Sequence, residues 1–145
     1  MQTYNCMIIE DEPLAAEVLQ DYIRQVPFLK LVCCCTDAFY AMERLHKIDI
    51  DLMFLDIHLP KMKGLDLIKV LKKPPKIIIT SAYQEYALQG YEFNVIDYLL
   101  KPIEFSRFLK AVNKIEQSKE IVLPARLAAR STERAYLFFS VARRR

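Results

Sequence analysis

The sequence predicts an α/β fold built on a parallel, doubly wound sheet, and three observations carry that expectation. Five short apolar runs alternate with segments whose apolar residues recur at helical spacing, the order expected when a helix returns each strand to one sheet. Each run is apolar at successive positions, as in strands covered by helices on both faces. Four runs end at residues able to hold a phosphate or a metal: Glu10-Asp11, Asp56, Thr80 and Lys101. In an open parallel sheet all strand C-termini share one edge, and ligands bind there where the strand order reverses.

Strands are expected near residues 5–10, 29–35, 51–56, 76–80 and 95–100, with Asp97 interrupting the last. The first helix should begin after Pro13, a residue suited to a first turn, and carry Leu14, Val18, Leu19, Tyr22 and Ile23 inward before stopping near Pro27. Thr36 or Asp37 can cap the second helix, whose Ala38, Ala41, Met42 and Leu45 follow helical spacing. A third is expected from Gly64 to Lys72, before Pro74-Pro75, and a fourth over roughly residues 85–92. The last, from about Glu104 to Ser118, shows an amphipathic stripe of Phe105, Phe108, Leu109, Val112 and Ile115. Glu104 favours the positive end of its dipole.

The 145 residues suit one domain of common size plus a tail, with 53% hydrophobic and 27% charged residues. That composition excludes a chain disordered throughout. No apolar stretch approaches the roughly 18 residues of a membrane span, and the N-terminus lacks a signal-peptide pattern. A cytoplasmic protein with no membrane contact is expected. Cys33, Cys34 and Cys35 are consecutive in a strand-like run, so neighbours point to opposite faces; with Cys6 they are expected to be reduced, buried, structural thiols. The net charge of +3 is uneven: residues 126–145 hold six arginines and one glutamate, while residues 1–125 hold 15 basic and 17 acidic residues. The tail therefore reads as a separate module.

At the shared edge, Asp56 is assigned as a nucleophile, because a carboxylate can attack phosphorus to form an acyl phosphate. That attack sets negative charge against negative charge, so it requires positioning and neutralisation. Glu10, Asp11 and Asp56 supply the hard oxygen cluster that suits Mg²⁺. Lys101 would pair with a phosphoryl oxygen, and Thr80 would donate its hydroxyl to another. A cis Lys101-Pro102 bond would aim the lysine back across the sheet.

Over about residues 4–120 the chain resembles the receiver domain of bacterial two-component response regulators. The resemblance rests on Ile8-Ile9-Glu10-Asp11-Glu12-Pro13-Leu14-Ala15, on Phe54-Leu55-Asp56-Ile57-His58-Leu59-Pro60 with Gly64 eight residues past the aspartate, on Thr80-Ser81-Ala82, and on Asp97-Tyr98-Leu99-Leu100-Lys101-Pro102. It implies a flavodoxin-like sheet of five strands in the order 2-1-3-4-5 with five helices. It makes Asp56 the phosphoacceptor, gives metal binding to Glu10, Asp11, Asp56 and the backbone carbonyl of His58, and sets Thr80 and Lys101 against the phosphoryl group. The His58 side chain is expected to face solvent near the site. Thr80 and Tyr98 become the switch: phosphorylation draws Thr80 in, lets Tyr98 turn inward and remodels the surface of the fourth helix, fifth strand and fifth helix. Glu10 stands where the family more often has aspartate. The implied partners are a sensor histidine kinase and, on phosphorylation, a second copy of the chain.

The stretch from Ile79 to Glu92, with Asp97 to Ile103, resembles receivers that precede a LytTR-type DNA-binding output domain. Residues 1–120 are then the receiver. Residues 121–145 are expected to be a linker followed by one strand, Ala135 to Val141, that opens an output domain the chain does not contain. DNA would be reached only through that domain. A stand-alone receiver, serving as phosphorelay or docking module, is the alternative. A metal-dependent phosphohydrolase is disfavoured, because enzymes of the haloacid dehalogenase type place a second aspartate two residues after the nucleophile and here that place is His58. A phosphoacceptor that takes phosphoryl groups from donors and loses them slowly, with no further turnover, is expected.

Overall fold

The computed structural model describes residues 2–84 and 94–122. Five strands, β1 (Tyr4–Ile9), β2 (Leu29–Cys35), β3 (Leu52–Asp56), β4 (Lys76–Ser81) and β5 (Val95–Leu100), form one sheet in the order β2-β1-β3-β4-β5. Every pairing is parallel. The chain runs outward from β1 to β2 and then crosses back to β3 on the other side of β1. The order therefore reverses between β1 and β3, which is the doubly wound, flavodoxin-like arrangement that the sequence implies. Among the described residues four helices are seen: α1 (Pro13–Gln25), α2 (Ala38–Lys47), α3 (Gly64–Val70) and α4 (Phe105–Val122). The helix expected over residues 85–92 and the linker and strand expected beyond residue 122 lie outside the described residues.

The sheet separates two apolar layers. On one side α1 and α4 pack through Leu19, Ile23, Phe108, Val112 and Ile115 onto Ile8, Phe54 and Ile78. On the other, Ala38 and Ala41 of α2 and Leu67 and Ile68 of α3 cover Met7, Met53, Leu55 and Ile79. Helix limits follow local chemistry. Pro13 opens α1, and Val26, held extended before Pro27, closes it. Asp37 caps α2, its side chain accepting from the Tyr40 amide at 2.9 Å.

Several expectations are corrected here. Leu14 and Val18 point outward, 71% and 38% exposed, while Ala16 is buried in their place. The buried residues of α1 are Ala16, Leu19 and Ile23, on one helix face at i, i+3 and i+7, with half-buried Tyr22 packed beside them as expected. The α4 helix, expected to end near Ser118, continues to Val122. Of the triple cysteine only Cys35 is buried: Cys34 is exposed and Cys33 half-exposed, since β2 is an edge strand.

Asp97, read from sequence as an interruption in a strand, is buried and tied to α4. Both Arg107 guanidinium nitrogens reach its carboxylate at 2.8 Å, and Lys114 Nζ stands 2.9 Å away. Burial alone would raise the Asp97 carboxyl, but these cations outweigh it and hold it below the ordinary carboxylate range. A register shift between Ile77 and Ile78 accompanies this. It re-phases β5 so that Val95 and Tyr98, three residues apart, join one layer while Ile96 and Leu99 join the other.

Candidate functional site

The β1 strand ends at Ile9, where the Glu10 amide donates to Cys35 O at 2.9 Å and the Glu10 side chain turns under the sheet edge, 2% exposed. Asp11 follows, exposed. Asp56 is the last residue of β3, 4% exposed, and pairs in register with Thr80 on β4. Lys101 follows β5, next to a cis peptide bond to Pro102. Its Nζ lies 2.8 Å from Glu10 Oε1 and 3.2 Å from Asp56 Oδ2. One carboxylate oxygen each from Glu10, Asp11 and Asp56 lies within 4.8 Å of the others. Residues from four strand ends thus meet at the reversal of strand order.

The extra methylene of Glu10 lets its carboxylate reach Lys101 while staying in the cluster. Its other oxygen, Oε2, accepts from the Glu12 amide at 3.1 Å. Asp56 Oδ1 accepts from the His58 amide at 2.8 Å, which fixes the carboxylate rotamer. The His58 ring is exposed, as expected, and meets the Tyr83 ring edge-on with centroids 4.9 Å apart. Thr80 Oγ1 is buried and has no hydrogen-bond partner among the described residues. A buried hydroxyl without a partner is costly and normally has a reason. Tyr98 is buried, 9% exposed, and its hydroxyl donates to Tyr83 O. The inward ring is therefore the position recorded here.

Three carboxylates against one ammonium leave an excess of negative charge in a partly desolvated pocket. Burial, opposed by the Lys101 hydrogen bond and reinforced by the Asp56 charge, pushes the Glu10 carboxyl up to about 7. Burial acts to lower the Lys101 ammonium, but Glu10 and Asp56 outweigh it and hold it above its usual range. The donor set fits a small hard divalent cation such as Mg²⁺: all-oxygen, anionic, with one exposed ligand open to water. The pH consequence follows from the direction of the Glu10 shift. A carboxyl raised in the fold favours the folded state where it is protonated, and that contribution is lost as the pH rises through about 7. A divalent cation offsets the loss and competes with the proton. The Mg²⁺-induced rise in melting temperature is therefore expected to grow as the pH passes upward through about 7, measured by thermal denaturation across a pH series. A shift that shrinks with rising pH would contradict it.

Gly64 opens α3 against the backbone of Asp56 and Ile57. Its amide donates to Ile57 O at 3.1 Å, and a Cβ placed on it would lie 2.6 Å from Asp56 O and 2.8 Å from Ile57 Cα. Both are backbone atoms that cannot rotate away. Gly64→Ala is expected to destabilise the fold by about 1–3 kcal/mol, in the range of overpacking, and to displace the Asp56 main chain. Denaturant unfolding checks the first effect. The motif spacing flagged Gly64 from sequence; the Asp97, Arg107 and Lys114 cluster was missed, although Arg107 and Lys114 stand two turns apart on one helix face.

A doubly wound sheet with an acidic, lysine-bearing pocket at its switch point defines a class of phosphate-handling signalling domain. The model of the response regulator receiver domain family matches residues 6–113, and the chain belongs to that family. It is 34% identical over 115 residues to the transcriptional regulatory protein BtsR of Escherichia coli (strain K12), covering 78% of this chain and 48% of that protein. The BtsR of Salmonella typhi is 36% identical over the same length. The chain thus spans about half the length of the curated relatives it matches. Among solved structures it is similar to the response regulatory domain of mrkE from Klebsiella pneumoniae, with a TM-score of 0.72 and 29% identity over 80% of this chain and 98% of that one. No described helix is long and apolar enough to cross a membrane.

Proposed function

We propose that Asp56 accepts a phosphoryl group from a sensor histidine kinase in the cytoplasm and that the modified domain switches an attached transcriptional output. The observation that carries this is the meeting of Asp56 with Glu10, Asp11 and Lys101, one strand away from Thr80, the register partner of Asp56, whose buried hydroxyl has no partner among the described residues. Asp56 Oδ1 is oriented by the His58 amide and Oδ2 is paired with Lys101. Lys101 neutralises charge on an incoming phosphoryl oxygen, and Thr80 Oγ1 finds in another oxygen the acceptor it lacks. Glu10, Asp11, Asp56 and the His58 carbonyl would hold Mg²⁺, which when bound would neutralise the remaining charge.

Phosphorylation draws Thr80 toward the new group. Tyr98 responds through Tyr83, to which both its hydroxyl and the Ser81 side chain are bonded. The two-state element is the face built on β5 and α4, and its change promotes dimerisation. The relatives named as transcriptional regulatory proteins support a transcriptional output, and the segment from Ile79 to Ile103 supports one of LytTR type. Residues 1–120 form the receiver and residues 121–145 lead toward that output. No catalytic turnover beyond uptake and slow loss of the phosphoryl group belongs to this reading.

Beryllium fluoride, a phosphoryl mimic, tests it: with Mg²⁺ it is expected to raise the melting temperature, and without Mg²⁺ it is not. Stabilisation independent of Mg²⁺ would end the reading. Thr80→Val separates the roles further. Replacing a buried, unpaired hydroxyl by an isosteric methyl leaves the resting fold as stable or up to about 1–3 kcal/mol more stable, yet it should weaken the beryllium fluoride effect. A variant that loses resting stability while keeping that effect would show Thr80 to be structural.

A further inference from the structure

The β2 edge strand carries Cys33, Cys34 and Cys35 on alternating faces. Cys34 points outward, its Sγ 3.4 Å from Gln20 Nε2. Cys33 and Cys35 share the other face, and their sulfurs touch at 3.4 Å. A disulfide needs about 2.05 Å between sulfurs, so this pair stands well outside bonding distance. A single atom joined to both sulfurs by bonds of about 2.3 Å, the length of a metal–thiolate bond, sets them roughly 3.3–3.8 Å apart for bond angles between a right angle and tetrahedral. The observed separation falls in that interval.

From this geometry we infer that Cys33 and Cys35 form a two-thiol chelating site for trivalent arsenic in its neutral hydroxide form. Cys33, half-exposed on an edge strand, is the point of entry, and buried Cys35 closes the chelate. A divalent cation such as Zn²⁺ takes four ligands, and among the described residues no third cysteine, histidine or carboxylate completes a metal-binding group with this pair, whereas trivalent arsenic needs only the two sulfurs and one oxygen. Arsenous acid instead condenses with protonated thiols. Two As–O bonds break and two As–S bonds form, each released hydroxide leaves with one thiol proton as water, and arsenic stays trivalent. The product is uncharged.

The full chain, incubated with sodium arsenite and measured by intact mass spectrometry under native conditions, is expected to gain one arsenic. Cys34→Ser should retain the adduct, and Cys33→Ser should lose it; dithiothreitol should remove it from the wild type. Cys35→Ala should also lose it, and because that position is fully buried, far-UV circular dichroism establishes that both single variants are folded. Absence of an adduct on the folded wild type, or its survival in Cys33→Ser, would overturn the inference, as would its loss in Cys34→Ser. Asp56→Asn should still take up arsenic, which separates this site from the phosphoacceptor.

Discussion

Asp56→Asn is expected to acquire no phosphoryl group from acetyl phosphate in the presence of Mg²⁺, while its fold is kept or strengthened. An amide nitrogen carries no charge to attack phosphorus, so the loss should be complete on intact mass and not a partial slowing. The fold survives because the substitution is nearly isosteric and the amide oxygen can still accept from the His58 amide, now bonded to Asp56 Oδ1 at 2.8 Å. Removing one of three clustered carboxylates also relieves the repulsion felt by Glu10, in which the Asp56 charge takes part. The melting temperature without Mg²⁺ should therefore not fall. A variant that unfolds would assign Asp56 a structural role instead, and one that still gains a phosphoryl group would place the acceptor elsewhere.

Phe108→Ala is expected to have the largest effect on stability, about 3–5 kcal/mol by analogy with other fully buried phenylalanines. A domain of this kind has roughly 5–15 kcal/mol in total, so the variant should lie near the limit of folding at ordinary temperature. Phe108 is fully buried and joins α4 to both the sheet and α1. Its ring stacks on Phe54 with centroids 5.5 Å apart, is tilted against Tyr22 at 5.3 Å and stacks on Phe105 at 6.2 Å. Because α4 also carries Arg107 and Lys114 to Asp97, loosening it should disturb β5 and the Lys101 that follows. Leu14→Ala is the contrast. That side chain is 71% exposed, and a surface substitution should cost less than about 0.5 kcal/mol. Urea denaturation of the two variants side by side distinguishes a core built on α4 from one built on the outer face of α1.

Much of this architecture was legible in the residues because the strands are buried on both faces. Runs such as Ile77-Ile78-Ile79 have no other comfortable place, and their polar ends mark one edge of the sheet. The cluster of Glu10, Asp11, Asp56 and Lys101 followed from that topology and from motif spacing. What failed depended on distances that periodicity does not carry. Hydrophobicity favoured Leu14 and Val18 as inward residues of α1, but the buried face of the helix runs through Ala16, Leu19 and Ile23 and leaves both on the outer side. Asp97 resembled a defect until its partners came round from α4, ten and seventeen positions later in the chain. The re-phasing of β5 could not be read either, since a one-residue register shift leaves no mark in an apolar run. For the cysteines, alternation along a strand separates neighbours, yet it brings residues two apart together, and an edge strand leaves part of the triplet open.

The most direct test of the phosphoacceptor assignment is to phosphorylate the wild-type chain with acetyl phosphate, with and without Mg²⁺, and to locate the added group by peptide mass mapping. One phosphoryl group on the peptide containing Asp56, formed only with Mg²⁺, is the result expected from the clustered carboxylates and Lys101. A group found on any other residue, or uptake that proceeds equally well without the cation, would contradict it.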